Sequence, residues 1–362
     1  MTESLLPLSL FASHVVTWQK QHGRHHLPWQ HTRDPYKVWL SEIMLQQTQV
    51  STVLAYYARF LERFPDVASL AAAEQEEVMP YWAGLGYYAR ARNLHRCAQA
   101  VMQHWQGQFP QQAKDLATLP GIGRSTAAAI AAFCFGERSP IMDGNVKRVF
   151  TRYFGIYGET QRRAVEQQLW QIADDVVAKA PLDLDMSAYT QGLMDLGSQC
   201  CTRSKPSCDR CPLSLACYAN AHQAQSDLPT KKQRKAQDER YCHMLIVRSN
   251  GSVLLQQRPD EGIWGGLLSL PELVDEPQLL ALARRYNPSV LPVRLASFQH
   301  VFSHFKLHIS PWLCDVSSFS LHEPLALTEQ WLKLDQIEQA ALPAPVRKIL
   351  EGLAMPSTPE LF

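Results

Sequence analysis

From about residue 10 to residue 200 apolar side chains recur three and four positions apart, between short Gly and Pro breaks. That spacing puts them on one face of a helix. It predicts helical segments within Val38–Phe60, Val67–Met79, Arg90–Trp105, Arg124–Phe135, Arg162–Ala178 and Ala188–Gly197, with an amphipathic helix near the N terminus. Strand signals are few, so this half is expected to be all-α. After Cys217 comes a polar, basic connector, Gln223 to Arg240, with the run Lys231-Lys232-Gln233-Arg234-Lys235. The pattern then changes to short alternating runs: Tyr241–Arg248, Ser252–Gln257, Val293–His300, Phe305–Pro311 and the region of Trp312. These read as strands, with helices at Leu279–Arg285 and Val346–Leu353. The expected organisation is a helical domain over residues 1–225, a basic linker over 226–240 and an α+β domain over 241–362.

The 362 residues suffice for two or three cores. Charged residues make up 19% and hydrophobic ones 46%, with a net charge of +1. Bulk charge therefore does not mark a nucleic-acid binder, and any grip on DNA must come from local patches and helix N-termini. The N-terminal stretch has an acid at Glu3 and no basic leader, and no apolar run reaches membrane-spanning length. A cytoplasmic location without membrane attachment is expected.

Three groupings carry chemistry. In Leu119–Val149 the glycines of Gly121-Ile122-Gly123 allow a tight turn. Ser125 and Thr126 then open an alanine-rich helix whose free N–H groups suit a phosphate. The segment ends at Asp143, which is expected on a turn bent by Gly144. Glu42 lies on a helical run among Trp39, Ile43 and Leu45, where apolar neighbours raise a carboxyl pKa and make a general acid. Of nine cysteines, five cluster. From Cys201 on, Cys208, Cys211 and Cys217 complete C-x6-C-x2-C-x5-C. Such a cluster in the cytosol points to structural zinc or to an iron–sulfur group. Cys200 and Cys201 are adjacent, and spacing alone does not separate them.

WLSEIMLQQTQV, GLGYYARARNLH, LPGIGRSTAAAI, MDGNVKRV and the cysteine loop together resemble the MutY-type adenine DNA glycosylases of the endonuclease III, helix-hairpin-helix superfamily. FQHVFSHFKLHI resembles their FSH loop, and GIWGGLLSLPE a Nudix-type fold. The resemblance spans about residues 10 to 350. It implies base-excision repair of double-stranded DNA by a monomeric, bacterial, nucleoid-associated enzyme that hydrolyses adenine mispaired with 8-oxoguanine or guanine. It implies a [4Fe–4S] cluster on Cys201, Cys208, Cys211 and Cys217. Glu42, Asp143 and Asn145 would be catalytic, and Gly121 and Gly123 would hold DNA backbone. Trp29, Gln30, Gln46, Gln47, Tyr87, Ser125 and Gln191 would contact substrate, and Phe302, Ser303 and His304 would read the lesion. Bifunctional relatives carry a lysine where Ser125 stands, and serine forms no imine, so base removal without strand cutting is expected. The run PELVDEPQLLALARR lacks the paired glutamates that hold magnesium in Nudix hydrolases, so recognition is expected of the C-terminal domain.

Overall fold

The computed structural model describes residues 7–232, 237–289, 291–316 and 328–354. Gln233, Arg234 and Lys235 of the basic run lie outside the described residues. The chain divides into two compact units, residues 1–72 with 93–234, and residues 73–92 with 235–362.

The first unit is helical. Its principal core gathers Phe11, Val15, Val149, Phe150, Tyr153, Tyr189 and Leu193, with Phe11 set edge-on to Phe150 at 5.6 Å and to Tyr153 at 4.9 Å. The helix Leu8–His22 forms as its amphipathic pattern predicts and packs against Met186–Asp195. Val38–Phe60 is broken into two helices, Pro35–Leu45 and Val50–Arg63, because the chain between them turns through Gln47 at φ 56. Val67–Met79 is likewise split, into Val67–Ala72 of this unit and Gln75–Trp82 of the second.

A helix not expected from periodicity, Gly144–Phe154, follows Asp143 directly. Asp143 is its N-cap: Val146 N–H donates to Asp143 Oδ1 at 2.7 Å. Gly155 at φ 67 ends it. Gly144 is thus the first helical residue, not a bend, and the Asp143 carboxylate is aimed by capping.

The second unit is built on an eight-stranded sheet among the described residues. Its centre is the parallel pair Asp238–Ser249 and Phe305–Asp315, in register from Asp238 opposite Phe305 to Arg248 opposite Asp315. Ser252–Gln257 pairs antiparallel with the first of these and with Glu329–Lys333. The Val293–His300 run resolves into Val293–Arg294 and Phe298–Val301, both antiparallel to Phe305–Asp315. That last strand absorbs both Phe305–Pro311 and the Trp312 region, and alternates buried and half-exposed residues as period two requires. The helix Glu276–Tyr286 lays Leu279 and Ala283 on Leu245, Val247 and Trp312. No helix of the described residues is long and apolar enough to cross a membrane.

Candidate active site

Helix Pro35–Leu45 starts sharply, because Tyr36 N–H donates to Asp34 Oδ1 at 3.0 Å and Pro35 occupies the first turn. Trp39, Leu40, Ile43 and Met44 are buried from the same helix. Glu42 is left facing a cavity of ≈ 370 Å³ that Trp29, Gln30, Ser41, Phe133 and Gln191 also line. That volume falls in the roughly 300–1,000 Å³ range of small-molecule sites. Burial pushes the Glu42 carboxyl up to about 8, and the negative charge of Asp143 adds to the rise. Burial also raises Asp143 above the ordinary carboxylate range, opposed by the donors on its oxygens. Asn145 Nδ2 donates to Asp143 Oδ2 at 3.1 Å. Arg148 Nη2 in turn donates to Asn145 Oδ1 at 2.9 Å and to Gly197 O, while Arg148 Nε donates to Cys201 O at 2.7 Å. Gly197 lies flat on Asn145, where an added Cβ would sit 2.5 Å from Asn145 Cβ. The site thus pairs a carboxyl group raised by burial with a second one whose two oxygens are both held by donors, the two-carboxyl arrangement that cleavage of a glycosidic bond uses.

Ser125 Oγ accepts from Met142 N–H at 3.0 Å, which ties the alanine-rich helix to the approach to Asp143. Gln30 is likewise occupied, accepting from Leu27 N–H at 3.1 Å and donating to Arg24 O at 2.9 Å. Trp29 is buried with its ring edge-on to Tyr57 at 5.3 Å. Gln46 Nε2 reaches Thr126 Oγ1 at 3.5 Å, and Gln47 is exposed. Tyr87, carried by the second unit, is exposed at φ 50. Gly121 has φ 77, and a Cβ there would meet Asn93 Cβ at 2.7 Å, so the turn requires glycine. Gly123 has no such need. It is the extended N-cap of helix Arg124–Phe135.

Cys201, Cys208, Cys211 and Cys217 line one small cavity together with Cys200 and Arg152. Arg152, 2% exposed, donates to the carbonyls of Thr202, Arg203, Gln225 and Leu228 and to Cys201 Sγ at 3.4 Å. One guanidinium thereby folds the cysteine loop around itself. Among the described residues no three His, Cys, Asp or Glu side chains already stand at metal-holding positions. The fit lies in the donor chemistry: soft thiols gathered beside a buried cation suit an iron–sulfur group.

The model of the HhH-GPD superfamily of base excision DNA repair proteins matches residues 40–174, and that of the NUDIX domain matches 242–352. An adenine DNA glycosylase of Buchnera aphidicola is 34% identical over 348 residues, 96% of this chain and 99% of its own. The adenine DNA glycosylase of Mus musculus is 32% identical over 94% of this chain and 77% of its own. The chain belongs to the adenine DNA glycosylase family. It also matches the structure of a thermostable thymine-DNA glycosylase at a TM-score of 0.53 and 28% identity, over 59% of this chain and 97% of the other. It is a DNA N-glycosylase of base excision repair with a helix-hairpin-helix catalytic part and a Nudix-like C-terminal part.

In the glycosylase's second unit, Phe302, Ser303 and His304 form the turn between strands Phe298–Val301 and Phe305–Asp315. Phe302 stacks on Phe305 at 4.4 Å, which anchors the turn, and Ser303 and His304 are exposed. Glu272, on the short strand Glu272–Leu273, is engaged by Arg258 at 2.5 Å. Sequence reasoning missed Arg148, Arg152, Arg24 and Asp195. For Asp195 a signal existed, an acid flanked by Leu193 and Leu196 on a buried helix. For the arginines none did, since arginine on a helix ordinarily reads as surface.

Proposed function

We propose that this glycosylase removes adenine mispaired with 8-oxoguanine or guanine and leaves the DNA strand uncut. The observation that carries the reading is Glu42, whose carboxyl is pushed up to about 8 beside a cavity of base-binding size. At neutral pH it keeps its proton and donates it to N7 of an adenine flipped into that cavity. A protonated purine leaves readily. Asp143, held by Val146 N–H and Asn145, faces the cationic sugar that remains. Glu42, now ionised, draws the proton from the attacking water.

The monofunctional character follows from the amines at hand. Ser125 stands where an imine-forming lysine would be needed, and Lys147 is paired with Glu166 at 2.8 Å. Gln47 and Tyr87, both exposed at positive φ, are held in a backbone state costly for side-chain residues, and they take the role of wedging into the base stack. Backbone N–H groups at the start of helix Arg124–Phe135 hold phosphate. Cys201, Cys208, Cys211 and Cys217 carry a [4Fe–4S] cluster whose part is to fix this loop. Ser303 and His304 probe the base opposite adenine, and the enzyme acts as a monomer.

The test is incubation with duplexes holding adenine opposite 8-oxoguanine, guanine or thymine. Strand breaks at the first two, appearing after alkali, are expected. Breaks without alkali would contradict the monofunctional reading, and equal action opposite thymine the mispair reading.

A further inference from the structure

Behind the cavity lies a buried ion cluster that the proton transfers do not use. Asp195, with 0% of its surface exposed, accepts from Arg24 Nε at 2.7 Å and from Arg24 N–H at 2.8 Å. Arg24 Nη2 lies 2.6 Å from Asp195 Oδ1. To the same oxygen Gln191 Nε2 donates at 2.9 Å. Arg24 and Gln191 both line the cavity, and Asp195 does not.

This geometry settles the polarity of the cavity wall. A carboxylate paired with a guanidinium only accepts hydrogen bonds, so the Gln191 group that meets it is the NH₂. The amide carbonyl oxygen then points away from Asp195, and among the described residues no donor meets it. A side-chain amide free to turn would present donor and acceptor equally. We infer that Asp195 is a positioning residue that locks Gln191 with its carbonyl oxygen toward the cavity, so that the site selects a base carrying an exocyclic amine over one carrying a carbonyl at that position. This rests on the reading of the cavity as an adenine site. The amine of adenine satisfies the fixed acceptor, whereas the carbonyl of hypoxanthine sets acceptor against acceptor, and unsubstituted purine leaves the acceptor bare.

The test is single-turnover excision of adenine, purine and hypoxanthine, each opposite 8-oxoguanine, by wild type and by Asp195→Asn. Differences in leaving-group chemistry are common to both proteins and cancel in the ratio of ratios. In the variant the side chain is neutral and one of its two positions becomes an NH₂, so it no longer satisfies all the donors of Arg24 and Gln191, the ion pair that holds the cluster is lost, and the Gln191 amide is free to turn. The adenine-to-hypoxanthine rate ratio is expected to fall about tenfold or more, as the loss of one fixed polar contact implies. Asp195→Glu, which keeps the acceptor, should restore much of the preference. If Asp195→Asn proves insoluble, Arg24→Gln with Asp195→Asn neutralises both partners and gives the same ratio. A uniform slowing of all three substrates, with the ratio unchanged, would overturn the positioning role. No excision of adenine by wild type would instead overturn the adenine-site reading.

Discussion

In the helical unit Asp143 carries a donor on each carboxylate oxygen and Asp195 has no exposed surface. At the tip of the Phe302–His304 turn, Ser303 and His304 stand in solvent, with Ser303 Oγ 3.3 Å from His304 Nδ1. The first region fixes the side chains themselves before substrate arrives, whereas the second holds its backbone, through Phe302 on Phe305 and Gln237 Nε2 on the carbonyls of Phe302 and Ser303, and leaves the side chains of Ser303 and His304 exposed. Charge development in a transition state rewards preorganised groups, because reorganising them during reaction would consume the stabilisation. A group that samples a base in a duplex must stay free to meet it. Substitutions in the helical unit should therefore reach rate first, and substitutions in the turn should reach discrimination alone.

The largest break expected is Asp143→Asn. It removes charge with little change of shape, so mispair binding should persist while single-turnover excision falls by about a thousandfold or more. A near-normal rate would remove Asp143 from the chemistry. Glu42→Gln takes away the proton source and should cost about 10²- to 10⁴-fold.

Glu42→Gln should also alter stability in a way that depends on pH. The folded protein holds the Glu42 proton more tightly than the unfolded chain, with the carboxyl raised from 4.5 to about 8. The stability this provides is complete below the unfolded value and is lost as pH climbs through the folded one. Glutamine has no such loss, so the melting temperature of the variant relative to wild type should rise between about pH 4.5 and about pH 8. An offset that is flat across that range would mean that Glu42 is not buried as described.

A smaller effect is expected of Gly197→Ala, whose Cβ would push on Asn145 at 2.5 Å and displace the Asn145–Asp143 bond. About ten- to a hundredfold in rate should be lost, with binding retained, as for a misplacement of about 1 Å. The smallest is Ser303→Ala with His304→Ala, which should lower the ratio of rates opposite 8-oxoguanine and guanine about tenfold. Because both side chains are exposed, the melting temperature should not move. A fall in rate opposite both bases alike would merge the two regions functionally and undo the contrast between them.

Much of this arrangement was legible in the chain because it rests on local signals. The period of the apolar residues gave the helical half, Gly121 its turn, and the neighbours of Glu42 its raised pKa. Asp143 was found as an acid, but its helix was not, since Gly144 reads as a breaker until the cap bond to Val146 is known. Val293–His300 read as one strand, yet only its two ends pair with Phe305–Asp315, because pairing depends on a partner distant in sequence. Ser125 and Gln30 both bond to backbone, Gln30 from the cavity wall itself, a choice of partner that residue type does not reveal. Arg148, Arg152 and Asp195 act through contacts about 50 or more residues away, such as Arg152 to Leu228, which no local pattern carries.

The account turns on Glu42 acting as a proton donor kept neutral by burial, and the pH dependence of single-turnover adenine excision tests this most directly. Wild type should show a rate that is level near neutral pH and declines as pH rises through about 8, where the Glu42 proton is lost. Glu42→Gln should be slow and lack that decline. A wild-type rate that climbs through the same range would show Glu42 working from its ionised form, and would contradict the assignment.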